Sequence, residues 1–213
     1  MAKKGDFVKI EYTGYDEAGN VFDSTSGEIA KQLHGKEGAM LIVLGIDYLV
    51  QGMEDALFAM KKGEEREFTV LPEKAFGSRQ KNRLKIFPIG EFYHNELDPY
   101  PGAVIQMETE LGTLNGMVKS VNSGRVLVDF NHPLADQSVK YKLRLADLIE
   151  DASGKVNELV KDLGIEGTCT IAGNKATVVM KKGQPEEELK KTRLTVAVKG
   201  AITEIKDLEI KSE

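Results

Sequence analysis

Residues 40–63 constrain the fold more than any other stretch, because their hydrophobic period changes halfway along. Residues 40–44 form a short, continuous apolar run, which is typical of a buried strand. After Gly45 the apolar residues recur at helical spacing, and they are Leu49, Val50, Met53, Leu57 and Met60. Two lysines and a glycine at residues 61–63 predict the end of this helix. Because strand-like segments flank the stretch, we predict one short helix lying across a sheet.

The chain has 213 residues, which is too long for one small domain and predicts two or three. Its net charge is -5, and it has no basic tract interleaved with aromatic residues, so we expect no nucleic-acid partner. No apolar run approaches the roughly 20 residues of a membrane span, and the first residues lack the apolar core of a signal peptide. The one cysteine, Cys169, excludes an internal disulfide framework. These features predict a cytoplasmic protein without a membrane partner.

The first forty residues place two polar side chains among apolar neighbours. Residues 7–13 alternate as a half-buried strand does, with the Tyr12 hydroxyl on its apolar face. Asp23 follows a turn signal, and residues 27–38 have the composition of a polar loop that carries His34. Taken singly, Tyr12 is a core tyrosine with its hydrogen bond satisfied, and Asp23 is a turn-capping residue. Taken together, they are candidates for a functional site.

Three ordered motifs resemble those of FKBP-type peptidyl-prolyl isomerases. Residues 8–25 read V-K-I-E-Y-T-G-Y-D-E-A-G-N-V-F-D-S-T, with the Tyr-Thr-Gly and Phe-Asp-Ser elements that flank a hairpin in that family. Residues 44–57 read L-G-I-D-Y-L-V-Q-G-M-E-D-A-L, and residues 71–77 read L-P-E-K-A-F-G. Three such motifs in family order over about 75 residues are a far more specific signal than any one of them alone.

Residues 84–129 extend the chain beyond the minimal family pattern. Alternation at 104–108, 114–121 and 125–130 predicts the strands of a small all-β module. Residues 131–136 read N-H-P-L-A-D and resemble the Asn-His-Pro-Leu-Ala-Gly motif of the SlyD-like branch, in which an insert-in-flap domain sits at this point. Asp136 replaces the usual glycine of that motif.

The last 62 or so residues carry no sharp motif. Val156, Leu159, Val160 and Leu163 form a helical stripe that ends at Gly164. Segments 168–172 and 176–180 predict a hairpin, and a second helix is predicted from Pro185, at its N1 position, to the region of residue 200. Alternation at 204–210 predicts a last strand, and residues 194–198 also fit a strand. The region resembles the added domain of long archaeal members of the family.

The resemblance implies an α+β fold, in which an antiparallel sheet wraps on one short helix. A small all-β domain is inserted in it, and an α+β domain follows at the C-terminus. The implied boundaries are residues 1–83 and 130–151 for the isomerase domain, 84–129 for the insert-in-flap chaperone domain, and 152–213 for the C-terminal domain.

The resemblance also implies the site residues. Those carried over as catalytic are Tyr12, Asp23, Val50 (through its backbone N–H), Phe76 and Tyr141. Those carried over as substrate-binding are Phe22, Met40, Ile42, Leu49, Met53 and Leu134. Met53 takes a floor position that is often tryptophan, and methionine keeps that position apolar. Phe76 stands where minimal members have tyrosine, so one hydroxyl is missing.

The insert is rich in apolar residues for a module of about 45 residues, which cannot bury all of them. We therefore expect an exposed apolar surface that binds unfolded protein, as the resemblance also implies. The candidate client-binding residues there are Ile86, Phe87, Ile89, Met107 and Met117.

The sequence has no phosphate loop, no nucleophile beside a base and no metal-ligand cluster, so we predict neither a cofactor nor a metal. The predicted function is a peptidyl-prolyl cis-trans isomerase and folding chaperone that acts on unfolded or partly folded clients. One alternative is a non-catalytic chaperone or binding module with a degraded isomerase pocket. Another is an assembly protein whose C-terminal domain carries the role. Since about 60 residues bury little on their own, we expect the C-terminal domain to form a homodimer or to dock on the isomerase domain.

Overall fold

The computed structural model describes residues 2–46, 49–109 and 112–213. Asp47 and Tyr48, within the second motif, lie outside the described residues. The first elements are β1 (Phe7–Tyr15), β2 (Val21–Ser24), α1 (Gly27–His34), β3 (Met40–Val43), α2 (Gln51–Ala59) and β4 (Glu65–Val70). The next are β5 (Leu84–Pro88), α3 (Ile89–His94), β6 (Val104–Thr109), β7 (Gly112–Asn122), β8 (Arg125–Asp129) and β9 (Val139–Ile149). The last are α4 (Ala152–Asp162), β10 (Gly167–Ala172), β11 (Lys175–Met180), α5 (Glu187–Ala201) and β12 (Asp207–Ser212).

Contacts divide the chain into two compact units, Met1–Val70 with Val139–Glu213, and Leu71–Ser138. The border of the second unit lies outside the predicted insert at both ends, and the C-terminal residues stay with the first unit. The predicted boundaries of three domains remain a prediction. None of the helices formed by the described residues is both long and apolar enough to cross a membrane.

An antiparallel sheet in the order β2-β1-β9-β4 forms the centre of the first unit, and β3 pairs with the start of β1. The alternation of β1 gives the sheet two faces, because side chains of successive residues point to opposite sides. The inner face carries Val8, Ile10 and Tyr12, which are all buried. A register shift in the β1–β9 pairing follows Lys9, and it leaves Phe7 and Ile149 paired on the outer face.

Helix α2 covers the inner face through Met53 and Leu57, and both of these side chains are buried. A Cβ atom at Gly52 would lie 2.3 Å from Cγ1 of Val70, so glycine lets the helix approach β4 closely. The predicted helix exists, but its predicted end is wrong. The helix stops at Ala59, because Met60 is extended and its side chain is fully buried. Gly63 instead forms the turn into β4.

Residues 27–38 were predicted to be a loop, and that prediction is wrong for most of them. Helix α1 occupies Gly27–His34 and ends at Gly35, which is left-handed with φ 70°. The helix is short and mostly polar, and only Ala30 is buried, so the sequence has almost no apolar stripe to reveal it. The helix matters for the site because its last residue is His34.

The C-terminal elements form a three-stranded sheet, β10-β11-β12, with α4 and α5 packed beside it. The β10–β11 pair is the predicted hairpin, and β11 pairs with β12 in parallel. Helix α5 includes residues 194–198, so their alternative interpretation as a strand is wrong. Pro185 is not at N1 either, since the helix begins at Glu187 and Glu186 is its left-handed N-cap.

One hydrophobic core joins the C-terminal elements to the outer face of the sheet of the first unit. The buried members from the C-terminal region include Val156, Leu159, Val160, Leu194, Val198 and Ile202, and those from the sheet of the first unit are Phe7 and Ile149. Leu41 and Val43 of β3 pack against the same core. Ion pairs flank it, with Lys9 Nζ 2.5 Å from Glu158 and Lys36 Nζ 2.5 Å from Asp162. The C-terminal region therefore docks on the sheet of the first unit.

The second unit contains a four-stranded antiparallel sheet in the order β5-β8-β7-β6. Its core lies on one face and consists of Phe92, Ile105, Val118, Val126 and Val128. Phe92 comes from α3, a six-residue helix that the prediction of an all-β insert missed. A Cβ at Gly116 would lie 2.6 Å from Cγ1 of Val128, so this core requires glycine on β7.

Candidate active site and client-binding face

The register of the sheet of the first unit brings residues of β1, β2, β4 and β9 together on its inner face. Gly14 pairs with Asp23 on β2 and with Tyr141 on β9, while Tyr141 also pairs with Phe68 on β4. Directly paired residues of antiparallel strands project to the same side. The sheet therefore gathers an aspartate and aromatic rings around a glycine.

The aromatic side chains form a cup with Tyr141 at its centre. The Tyr141 ring lies 5.8 Å from that of Phe22, 6.3 Å from that of Tyr12 and 6.2 Å from that of Phe68. The first two contacts are edge-to-face, which is a favourable geometry for aromatic pairs. A Cβ at Gly14 would lie 2.7 Å from Cζ of Phe22 and 2.9 Å from Cε1 of Tyr141, so a larger residue would displace both rings.

Tyr12 and Asp23 give the cup its polar rim. The Tyr12 hydroxyl donates a hydrogen bond of 2.8 Å to Oδ2 of Asp23. The backbone at Tyr12 is fixed as well, since its N–H donates to Oγ1 of Thr25 at 2.9 Å and its carbonyl accepts from the N–H of Thr25. Both predicted polar residues are thus in direct contact.

Burial raises the pKa of Tyr12 above its usual value, and the hydrogen bond to Asp23 and the charge of Asp23 raise this pKa further. Burial also raises the pKa of Tyr141, with a smaller effect from the charge of Asp23. Both phenols therefore remain protonated at neutral pH and can donate hydrogen bonds.

The other predicted pocket residues of the first unit lie on the elements around the cup. Met40 pairs with Ile10 and Ile42 pairs with Val8, so both project from the inner face. Met53 is buried on α2. Leu49 is half-buried, and Val50 is the N-cap of α2. An N-cap N–H precedes the first helical turn and has no intrahelical acceptor, which suits the predicted role of the Val50 N–H as a donor to substrate.

Phe76 and Leu134 fall in the second unit, and their part in the pocket remains a prediction. Phe76 stacks on His132 with the ring centroids 4.1 Å apart. Nδ1 of His132 accepts a hydrogen bond of 3.2 Å from the Leu134 N–H, and burial lowers the pKa of His132. Asp136 has φ 69°, the left-handed conformation that explains why glycine is usual at this position.

Sequence reasoning missed two residues of the cup. His34 was assigned to a loop, yet its Nε2 lies 2.8 Å from Oδ1 of Asp23. Phe68, on β4, was not predicted to be part of the site. Its alternation with Glu67 was the available signal, whereas nothing in the sequence paired His34 with Asp23.

The predicted client-binding residues of the insert divide between the two faces of its sheet. Ile86 pairs with Leu127, and Met117 pairs with both Asp129 and Val104, so these residues share the face opposite the core. Phe87 and Ile89 instead pack against the core. Met107 lines a cavity beside Phe92 on the core side. The structure thus brings Ile86 and Met117 to one face and places the other three elsewhere.

We name this surface of the insert the open face, defined by Leu84, Ile86, Val104, Met117 and Leu127. Ile86 is 64% exposed and Val104 is 66% exposed. Leu84, Met117 and Leu127 are half-buried. A groove of about 150 Å³ beside Val104 and Met117 is lined also by Arg79 and Asp129. The open face is therefore an apolar surface with the Arg79–Asp129 ion pair at its edge.

A cavity of about 500 Å³ lies elsewhere, on the outer face of the sheet of the first unit. Its walls include Glu11, Glu65, Lys142 and Arg144, which pair with one another, so it offers no apolar seat for a proline ring. Among the residues that the structure describes, no three histidine, cysteine or acidic side chains gather as metal ligands.

Comparison with known proteins gives the same family along most of the chain. Residues 1–92 match FKBP-type peptidyl-prolyl cis-trans isomerase, and residues 85–134 match the FKBP26 IF domain. The short-type peptidyl-prolyl cis-trans isomerase of Methanocaldococcus jannaschii is 29% identical over 153 residues, which are 70% of this chain and 94% of that protein.

Two bacterial relatives show the same relationship. The FKBP-type peptidyl-prolyl cis-trans isomerase SlyD of Aeromonas hydrophila is 34% identical, over 66% of this chain and 61% of the relative. The FKBP-type 16 kDa peptidyl-prolyl cis-trans isomerase of Escherichia coli is 30% identical, over 59% of this chain and 83% of the relative. Among solved structures, three FKBP domains of wheat FKBP73 align with a TM-score of 0.38 and 16% identity, over 70% of this chain and 40% of that one.

The fold is mixed α+β, built on antiparallel sheets with few helices, as predicted. The chain belongs to the family of FKBP-type peptidyl-prolyl cis-trans isomerases, and its insert is of the insert-in-flap type. Its activity is the interconversion of the cis and trans forms of Xaa-Pro peptide bonds.

Proposed function

We propose that the aromatic cup is the isomerase site of this protein. The proline ring of the substrate packs among Phe22, Phe68 and Tyr141, since these rings form an apolar recess. The Tyr12–Asp23 pair at the rim orients the peptide, and the Val50 N–H donates to a substrate carbonyl. The observation that carries this assignment is the 2.8 Å hydrogen bond between Tyr12 and Asp23 beside the rings. Polar groups placed at the edge of an apolar recess fix the orientation of a ligand.

Catalysis at such a site requires no covalent step. The barrier to rotation of a peptide bond is about 18–20 kcal/mol, because the planar amide is stabilised by resonance with charge separation. That stabilisation is lost when the bond is twisted. An apolar cup therefore disfavours the polar planar amide relative to the twisted one, and it binds the transition state more strongly than the ground state. The protonated phenol of Tyr141 supplies a hydrogen-bond donor without changing charge, whereas the single O–H of Tyr12 is donated to Asp23.

Replacement of Asp23 tests the assignment. Asp23→Ala removes the acceptor of the Tyr12 hydroxyl, and we expect it to lower isomerisation of a short Xaa-Pro peptide several-fold or more in a protease-coupled assay. Asp23→Asn keeps an acceptor oxygen for Tyr12, so we expect it to retain more activity than Asp23→Ala. Near-ultraviolet circular dichroism serves as the control for folding. If Asp23→Ala kept full activity on peptide and on protein, the site would lie elsewhere.

We propose further that the open face of the insert binds unfolded or partly folded protein clients. A group of exposed apolar side chains on one face is characteristic of a binding site, and Met117 makes the surface adaptable to many sequences. Client held on the insert is presented to the cup at a raised local concentration, which speeds isomerisation in a refolding protein. Client binding by the insert is proposed in addition to isomerisation in the cup, and it is not an alternative to it.

Two finer predictions belong with this function. The first is a cytoplasmic location, which stays a prediction. A homodimer through the C-terminal region is supported by exposed apolar residues on α5, where Val196 is 67% exposed and Leu189 is 43% exposed. Docking on the sheet of the first unit already buries many apolar residues of the C-terminal region, such as Val156, Leu159 and Leu194. Light scattering of the full chain distinguishes a dimer from a monomer by mass.

A further inference from the structure

The side chain of Asp23 has a second partner besides Tyr12. Nε2 of His34 lies 2.8 Å from Oδ1 of Asp23, while the Tyr12 hydroxyl occupies Oδ2. An ionised carboxylate accepts hydrogen bonds and cannot donate them, so Nε2 of His34 must carry the hydrogen. The ring of His34 also meets the ring of Tyr12 edge-to-face at 6.5 Å. The three side chains form one hydrogen-bonded chain from the end of α1 to the cup.

We propose that His34 is a positioning residue of the isomerase. It acts by holding the Asp23 carboxylate in the orientation in which Asp23 helps to orient the substrate. The proposal rests on the assignment of Asp23 to the isomerase site. His34 itself contributes no group to the reacting bond. Its effect passes through Asp23.

The surroundings of Asp23 explain why a second partner is needed. Asp23 lies on β2, which has only four residues, and its side chain is 28% exposed. A hydrogen bond to one oxygen leaves the carboxylate free to rotate about its last torsion, whose energy profile is broad. Hydrogen bonds to both oxygens fix that rotation.

Helix α1 is built to bring His34 to this place. The backbone carbonyl of Tyr12 accepts from Thr25 just before the helix, and the Thr25 carbonyl accepts from Gly38 just after it. These bonds hold the two ends of the segment that contains α1 together, and α1 lies in contact with β2. The left-handed Gly35 ends the helix directly after His34. The side chain of His34 is only 21% exposed although the helix is mostly exposed.

A double-mutant cycle in the full chain tests the proposal. We expect His34→Leu to lower kcat/KM on a short Xaa-Pro peptide roughly three- to tenfold, the size that corresponds to the loss of one hydrogen bond. His34→Gln keeps an N–H donor of similar reach, so we expect it to retain most of the activity. In an Asp23→Ala background, His34→Leu should have no further effect, because the residue through which it acts is gone.

The matched control is Leu33→Ala, the neighbouring residue on α1, whose side chain is 58% exposed; we expect it to leave kcat/KM unchanged. A spectroscopic readout is independent of activity. The Nε2–H proton of His34 should give a slowly exchanging, downfield NMR signal that Asp23→Ala abolishes.

Each contrary outcome has a distinct meaning. Full activity of His34→Leu, or losses that multiply with those of Asp23→Ala, would overturn the positioning role and leave the site assignment intact. A His34→Gln variant that is folded yet as inactive as His34→Leu would overturn it as well, because the ring and not the N–H would then matter. An unchanged kcat/KM in Asp23→Ala alone would overturn the site assignment together with the proposal.

Discussion

Both oxygens of the Asp23 carboxylate are occupied, one by Tyr12 and the other by His34. Each of these three residues comes from a different element, and the short distance between them depends on the β1–β2 register and on the course of α1. Gly14 is as important as the side chains, because it leaves room for the rings of Phe22 and Tyr141. At the residue scale, the site depends on short distances between side chains that come from different elements.

We expect Gly14→Ala to disturb the packing of the cup, although it adds only one methyl group. The added methyl group would lie 2.7 Å from Phe22 and 2.9 Å from Tyr141, so both rings must move. Overpacking of this kind costs about 1–3 kcal/mol of stability, and peptide isomerisation should fall with it. Thermal unfolding and the protease-coupled assay measure the two effects.

Gly200→Ala is the matched control, because it lies within α5 with nothing within 4 Å of the added carbon. It should raise stability by up to about 1 kcal/mol and leave activity unchanged, since alanine favours helix. Wild-type stability and activity in Gly14→Ala would contradict the packing described for the cup.

The sequence predicted the members of the cup that belong to family motifs, including Tyr12, Phe22, Asp23 and Tyr141. Their contacts follow from strand alternation and pairing, which a sequence expresses directly. His34 could not be found in that way, because its partner is eleven residues away and the helix that carries it has one buried residue. A polar helix held by its two ends leaves little periodic signal.

At the scale of elements, most strands were predicted and most errors concerned helices, either their ends or, for α1 and α3, their existence. The end of α2 was misplaced because burial of Met60 outweighed the signal of residues 61–63. Pro185 was placed inside α5, whereas Glu186 takes the N-cap in a left-handed conformation. The short helix α3 has six residues, too few for a periodic pattern to emerge.

The start of α5 is joined to β12 by one carboxylate, that of Glu187. It accepts hydrogen bonds from Lys191 at 2.8 Å, from the Ser212 hydroxyl at 2.6 Å and from the Gly183 N–H at 3.0 Å. These bonds, that of Lys191 first, lower the pKa of Glu187 to about 2. A carboxyl group whose pKa is depressed on folding stabilises the folded state at any pH above its pKa in the unfolded chain, which is about 4.3 for glutamate.

We therefore expect Glu187→Gln to lower stability at neutral pH, with the difference from the parent protein shrinking as pH falls from about 4.3 toward about 2. Denaturant unfolding at several pH values measures this difference. Glu188→Gln is the control, because the Glu188 side chain is 87% exposed and its carboxylate bonds the same Lys191. A Glu187→Gln difference that stays constant down to pH 2 would show that the three bonds do not depend on the charge.

At the scale of the whole molecule, the sheet of the first unit is covered by other elements on both of its faces. The inner face carries the cup and α2, and the outer face carries the C-terminal elements on Phe7 and Ile149. The periodicity of β1 predicted that such a strand has two faces, but it did not show that the outer one was covered. That contact joins residues more than a hundred positions apart, and neither segment alone specifies its partner.

The insert carries a second surface, for which we propose a separate function. Its core is complete on one face of the sheet, with Phe92 of α3 packed among valines. The open face has no comparable cover among the described residues of this unit, as the exposure of Ile86 and Val104 shows. Isomerisation in the cup and client binding on the open face are therefore expected to be separable by mutation.

The combined variant Ile86→Ser and Val104→Ser tests this separation most directly. Both side chains are about two-thirds exposed, so the changes should leave the fold intact. The control is Val196→Ser on α5, because Val196 is 67% exposed and lies far along the chain from both the insert and the cup residues of β1 and β2.

The measurement compares isomerisation of a short Xaa-Pro peptide with catalysed refolding of a proline-limited protein, for the parent, the combined variant and the control. We expect the combined variant to keep the peptide activity and to lose refolding activity by about tenfold, which corresponds to about 1.4 kcal/mol of client binding. The control should match the parent in both assays. Equal losses in both assays, or no loss in refolding, would contradict the separate roles assigned to the cup and the open face.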